Sequence, residues 1–112
     1  MRDTLYVLRP GFEDRGATWF CPYSAQVIGF LGYYPAVRAT IDLVELDFAR
    51  PRHPLADQLG EEHQAAPMLV LAGEPVAVDG VTVAQARGRH YVEKTIQILR
   101  YLAATRGLPG PH

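Results

Sequence analysis

Trp19-Phe20-Cys21-Pro22-Tyr23-Ser24-Ala25-Gln26-Val27-Ile28 is the stretch on which the fold turns. It leads a loop into a helix at the only cysteine of the chain. Pro22 has the fixed φ of a first helical position and lacks an N–H that such a position would leave unbonded. Val27, Ile28, Leu31 and Tyr34 follow at helical spacing, and Gly32 and Pro35 close the run, which predicts a helix over 22–33. Cys21 then stands at the entry to that helix.

Upstream, Leu5-Tyr6-Val7-Leu8 is apolar and rich in strand formers, and Arg9-Pro10-Gly11 ends it, so a buried first strand is expected. Phe12 to Phe20, with Glu13, Asp14, Arg15 and Gly16, reads as a long loop of the kind that more often carries function than decoration. Downstream, Ile41 to Phe48 reads as a second strand, and Arg50-Pro51-Arg52-His53-Pro54 breaks the chain before one or two helical turns over Leu55 to Leu59. Pro67-Met68-Leu69-Val70-Leu71-Ala72 is continuously apolar, as a strand at the sheet centre should be. Gly73-Glu74 reads as a type II′ turn into an antiparallel strand, Pro75-Val76-Ala77-Val78. From Gly88 to Thr105 the positions Val92, Ile96, Leu99 and Ala103 predict a last helix, stopped by Arg106-Gly107 and Pro109, with a frayed tail beyond Leu108.

This order predicts an α/β fold: a βαβ unit, parallel with a right-handed crossover, followed by ββα, giving a four-stranded mixed sheet flanked by helices. The 112 residues suit one domain over 1–112, and 48% hydrophobic with 21% charged residues is an ordinary globular balance. A net charge of -1 supplies no basic footprint, so neither nucleic acid nor an anionic membrane is an expected partner. There is no apolar run of the roughly 20 residues that a membrane helix needs, and Met1-Arg2-Asp3-Thr4 does not read as an export signal. One cysteine forms no internal disulfide and no Cys-rich metal site, and cytoplasmic residence is the simplest expectation.

Cys21-Pro22-Tyr23-Ser24 resembles the glutaredoxin Cys-Pro-Tyr-Cys motif, with serine in place of the second cysteine, and Ala65-Ala66-Pro67 resembles the cis-proline segment of the thioredoxin-like superfamily. The chain is also similar to a bacterial family of uncharacterised small thioredoxin-like proteins through Leu8-Arg9-Pro10-Gly11-Phe12-Glu13-Asp14, Asp47-Phe48-Ala49-Arg50-Pro51-Arg52 and Gly60-Glu61-Glu62-His63-Gln64. The resemblance implies a thioredoxin-like fold in which the Ala66-Pro67 peptide is cis and Pro67 faces Cys21. It also implies that the exposed backbone of Ala66 pairs with an extended peptide or with glutathione, as an added strand would.

Physical chemistry gives Cys21 a role as nucleophile, because unbonded N–H groups and the positive pole of a helix stabilise a thiolate. With serine at position 24 an oxidised Cys21 has no internal thiol to resolve it and needs an outside one, such as glutathione or a thiol-bearing protein. Pro22, Tyr23, Ser24, Ala66 and Pro67 are the expected substrate contacts; alternatively Ser24 is a first-turn residue whose hydroxyl bonds the helix backbone. Arg9, Arg15 and Arg89 are candidates to meet glutathione carboxylates, and Tyr6, Trp19, Phe20 and Tyr23 to wall the thiol. Adjacent residues such as Glu61-Glu62-His63-Gln64 do not converge on one ion, so no metal site and no resident cofactor is expected, with glutathione as a co-substrate. The leading function is a glutathione-linked monothiol redox protein acting through Cys21. The alternative is a non-catalytic binding module of the same fold with a structural cysteine. A cluster-bridging role resembles that of some monothiol glutaredoxins, but Pro22-Tyr23 stands where their motif has Gly-Phe.

Overall fold

Leu5, Tyr6, Val7 and Leu8 are buried in succession at the end of β1, Asp3–Leu8, and a strand buried on both faces needs a layer on each side. The computed structural model, which describes residues 2–112, supplies both layers. β1 lies between β4 (Ile41–Leu46), with which it pairs in parallel, and β5 (Met68–Val70), with which it pairs antiparallel. β7 (Arg89–Glu93) and β6 (Ala84–Ala86) complete the sheet in the order β4-β1-β5-β7-β6. The α/β expectation therefore stands, but the expected four-stranded sheet is corrected to five strands.

Side chains divide by strand parity. Leu5, Val7, Leu69 and Val92 enter one core with Val27 and Leu31 of α1 (Pro22–Tyr33) and Ile98 and Leu102 of α4 (Thr95–Thr105). Tyr6, Leu8, Met68 and Val70 enter a second core with Leu55 and Leu59 of α3 (Leu55–Leu59). A short α2 (Pro35–Arg38), not foreseen from the sequence, links α1 to β4.

Three further expectations are corrected. Phe12 to Phe20 is largely a hairpin, β2 (Phe12–Asp14) and β3 (Ala17–Trp19), outside the main sheet. Its two-residue turn is Arg15-Gly16, with φ of 48° and 77°, the positive values that a type I′ turn requires. Pro75 to Val78 is not a strand; the strand that follows β5 in the sheet, antiparallel to it, is β7, reached through β6 and a second turn of the same kind at Arg87-Gly88, φ 49° and 73°. The last helix accordingly begins at Thr95 rather than Gly88, because Val92 is buried in the sheet. Beyond α4, Leu108 packs against the core and its N–H donates to Ala103 O at 2.9 Å.

No helix of the described residues is long and apolar enough to cross a membrane.

Candidate functional site

Three elements meet at Cys21. The end of β1 delivers Leu8, the hairpin β2–β3 returns the chain to Phe20, and α1 starts at Pro22 with Cys21 as its cap. Cys21 has extended backbone, φ -79° and ψ 115°, and its sulfur accepts the backbone N–H of Ser24 at 3.4 Å. A cap acceptor takes up one of the N–H groups that a helix start leaves without an intrahelical partner. The thiol is half-buried and packs, as Phe12 and Phe48 do, against the α3-side core.

Across from it, the Ala66-Pro67 peptide is cis, as are Arg50-Pro51 and His53-Pro54. Pro67 is buried and Ala66 half-buried, and the Ala66 carbonyl oxygen lies 4.0 Å from the Cys21 sulfur. Among the described residues neither the N–H nor the C=O of Ala66 makes a backbone hydrogen bond. Cys21 and the segment before β5 are thus brought together.

Two grooves flank this meeting point. One, of 450 Å³, is lined by Tyr23 and Gln26 of α1, Ala65-Ala66-Pro67, and Glu93-Lys94-Thr95-Ile96 at the start of α4. It therefore combines an apolar wall with the positive end of α4 and with one residue of each charge, Glu93 and Lys94. The other, of 400 Å³, contains Cys21 itself with Pro10, Phe20, Ala25, Ile28 and Glu45.

The remaining expected site residues separate into those near Cys21 and those elsewhere. Tyr23 is exposed and lines the first groove, Phe20 is exposed in the second, and Pro22 is exposed at the first position of α1. Ser24 lines the second groove but is buried, and its hydroxyl accepts the N–H of Leu8 at 3.1 Å instead of bonding the helix backbone. Tyr6 is wholly buried in the α3-side core, where its hydroxyl accepts from Gln58 Nε2 at 2.9 Å. Trp19 is exposed and donates its indole N–H to Asp14 O across the hairpin. Arg9 pairs with Asp47 and, at 3.8 Å, with Glu45, and Arg15 lies 3.3 Å from Asp14. Arg89 lines a different depression, with Arg2, Thr4 and Gln58.

The segment before Ala66 is held by a pairing that the sequence does not announce, between Arg52 and Gln64. Arg52 is buried and donates from Nη1 to Gln64 O and from Nε to Phe48 O, each at 2.9 Å. Gln64, also buried, accepts the Arg52 N–H on Oε1 and donates from Nε2 to Glu61 O at 2.7 Å. Arg52 thereby clamps the chain two residues before Ala66. Its guanidinium carbon stands 5.4 Å above the Phe48 ring, which stacks on Phe12 at 4.4 Å.

The model of one protein family, described as a protein of unknown function (DUF3088), matches residues 2–110. The chain belongs to that family. The match takes in every residue of the candidate site, from Cys21 through Arg52 and Pro67 to Lys94. Searches of curated proteins and of solved structures found no match to the chain. Among the described residues no three His, Cys, Asp or Glu side chains of the DUF3088 chain converge as a metal centre would require.

Proposed function

We propose that the protein is a thioredoxin-like, glutathione-linked monothiol redox protein in which Cys21 is the nucleophile. The observation that carries the proposal is the place of the sulfur: at the cap of α1, accepting a backbone N–H, half-exposed, and 4.0 Å from the Ala66 carbonyl oxygen. The strand order supports the fold reading, since β1 and β4 are parallel and β5 and β7 continue the sheet antiparallel before α4. The backbone of Ala66, without main-chain hydrogen bonds among the described residues, suits an extended ligand added alongside it. Lys94 and the positive end of α4, at the far side of the same groove, suit a carboxylate such as that of the γ-glutamyl group.

In the reaction the Cys21 thiolate attacks the glutathione sulfur of a mixed disulfide between glutathione and another thiol. The S–S bond breaks, a glutathione mixed disulfide forms on Cys21 Sγ, and the other thiol leaves as its thiolate. Because Ser24 offers no second thiol, a further glutathione thiolate must attack the adduct, regenerating Cys21 and glutathione disulfide.

Intact-mass spectrometry of the folded protein tests this directly. Glutathione disulfide should add one glutathione per chain, excess glutathione should remove it, and the Cys21→Ser variant should take none. If Cys21 reacts only after unfolding, the sulfur is structural and the protein is a binding module.

A further inference from the structure

Among the described residues Arg52 is the only buried charged side chain, 8% exposed, and no carboxylate lies within ion-pair distance of it. Its Nε and Nη1 are taken by main-chain carbonyls, and Nη2 donates to no described acceptor. No buried side-chain nitrogen or oxygen among the described residues lacks a partner, so Nη2 is the edge of the guanidinium that keeps contact with solvent, while the rest is desolvated without a counter-ion. Burial pushes the Arg52 guanidinium below its ordinary range and Arg50 beside it acts in the same direction, while the Cys21 thiolate opposes both. Geometry places the two groups on one segment. Arg52 Nη1 holds Gln64 O, the Cys21 sulfur approaches Ala66 O, and both Cys21 and Phe48 pack on the α3-side core.

We propose that Arg52 makes the Cys21 cleft selective for anionic thiols and disulfides over cationic ones. This rests on Cys21 being the nucleophile, as proposed above. Attack on a disulfide delivers a second sulfur to Cys21 and releases the other half as a thiolate, so negative charge stays in the cleft throughout the exchange. A cation without a carboxylate partner, bonded to the segment that carries Ala66, favours partners that bring negative charge of their own. Glu45, the carboxylate lining the Cys21 groove, is paired with Arg9.

Three disulfides serve as probes on the full chain: dithiobis(nitrobenzoate), which is dianionic, neutral bis(hydroxyethyl) disulfide, and cationic cystamine. Rates are divided by those of free mercaptoethanol, which removes the intrinsic reactivity of each probe. The normalised anionic-to-cationic ratio should exceed one by about tenfold at low salt and shrink as salt is raised. Arg52→Gln should bring the ratio close to one, and Arg52→Lys should keep most of it. If Arg52→Gln does not fold, the salt dependence of the unmodified protein decides. A ratio near one at every salt concentration, or one unchanged in folded Arg52→Gln, overturns the selectivity and leaves the thiol reading standing. Failure to react with all three probes overturns both.

Discussion

The backbone N–H of Leu8, at the end of β1, donates to the Ser24 hydroxyl in the first turn of α1 at 3.1 Å. Ser24 in turn donates its own N–H to the Cys21 sulfur, so one residue ties the central strand to the thiol. Where a resolving cysteine would sit in a dithiol motif, this chain has a buried structural oxygen.

Ser24→Ala leaves the buried Leu8 N–H without an acceptor, which costs about 1–3 kcal/mol. The expected result is a lower denaturation midpoint, with the glutathione adduct at Cys21 still forming. Ser24→Cys restores a thiol one turn from Cys21, and glutathione disulfide should then yield an internal disulfide in place of the adduct. The mass after oxidation separates the two products, and an adduct that persists on the Ser24→Cys protein would contradict the geometry.

Gln64 closes the clamp from the other side. It is 5% exposed, and truncating it to alanine orphans the Arg52 N–H and the Glu61 carbonyl at one stroke. Gln64→Ala should cost about 1–3 kcal/mol in chemical denaturation. Hydrogen exchange should rise at the Arg52 amide, whose acceptor is Gln64 Oε1. Unchanged exchange there would mean that another acceptor takes the place of Gln64.

The parts of this fold that were legible in sequence are those with local causes. Pro22 starts α1 and Pro35 ends it, and the structure places that helix at 22–33 as the spacing predicts. The short α3 over Leu55 to Leu59 and the buried run after Pro67 were legible for the same reason. The hairpins were not, because their turns are Arg15-Gly16 and Arg87-Gly88 rather than the Asn-Gly or Asp-Gly pairs that announce a type I′ turn. Gly73-Glu74 imitated a turn, and Val92 fell on helical spacing although it belongs to β7. Of the site, Cys21 and Ala66-Pro67 were visible as motifs. The bonding of Arg52 to Gln64 was not, since a pairing across 12 residues depends on the path of the loop, and Arg50-Pro51-Arg52-His53-Pro54 reads only as a break in the chain.

Arg87 and Gly88 make the second of these turns a stability test. Arg87 holds φ of 49° and Gly88 of 73°, and a Cβ added at Gly88 would meet no atom within 4 Å. Gly88→Ala is therefore penalised by backbone conformation alone, by roughly 1–2 kcal/mol. Arg87→Asn places the residue favoured in the left-handed region at the first turn position and should raise the midpoint. Equal midpoints for Gly88→Ala and the unmodified protein would refute the type I′ geometry.

Tyr6 and Tyr91 give the protein a predicted weakness at alkaline pH. Burial pushes both phenols above their ordinary value of 10.0. Arg89 partly counters this for Tyr6, whereas Glu93 and Glu62 add to it for Tyr91. Both side chains are nearly inaccessible, at 1% and 4% exposure, so an ionised oxygen in the fold would lack hydration. As pH rises past about 10 the unfolded chain releases these protons before the folded one does, so stability present at lower pH is lost through the folded-state values. The slope should approach about 1.4 kcal/mol per pH unit for each tyrosine over that interval. Tyr6→Phe keeps the packing and removes one titration, and Gln58, half-exposed, can turn its amide to water. Its denaturation midpoint should therefore fall less steeply between pH 10 and pH 11 than that of the unmodified protein. Tyr91→Phe should do the same at the additional loss of the 3.3 Å contact between the Tyr91 hydroxyl and His63 Nδ1. If both variants keep the full alkaline slope, the titration that unfolds the protein lies elsewhere.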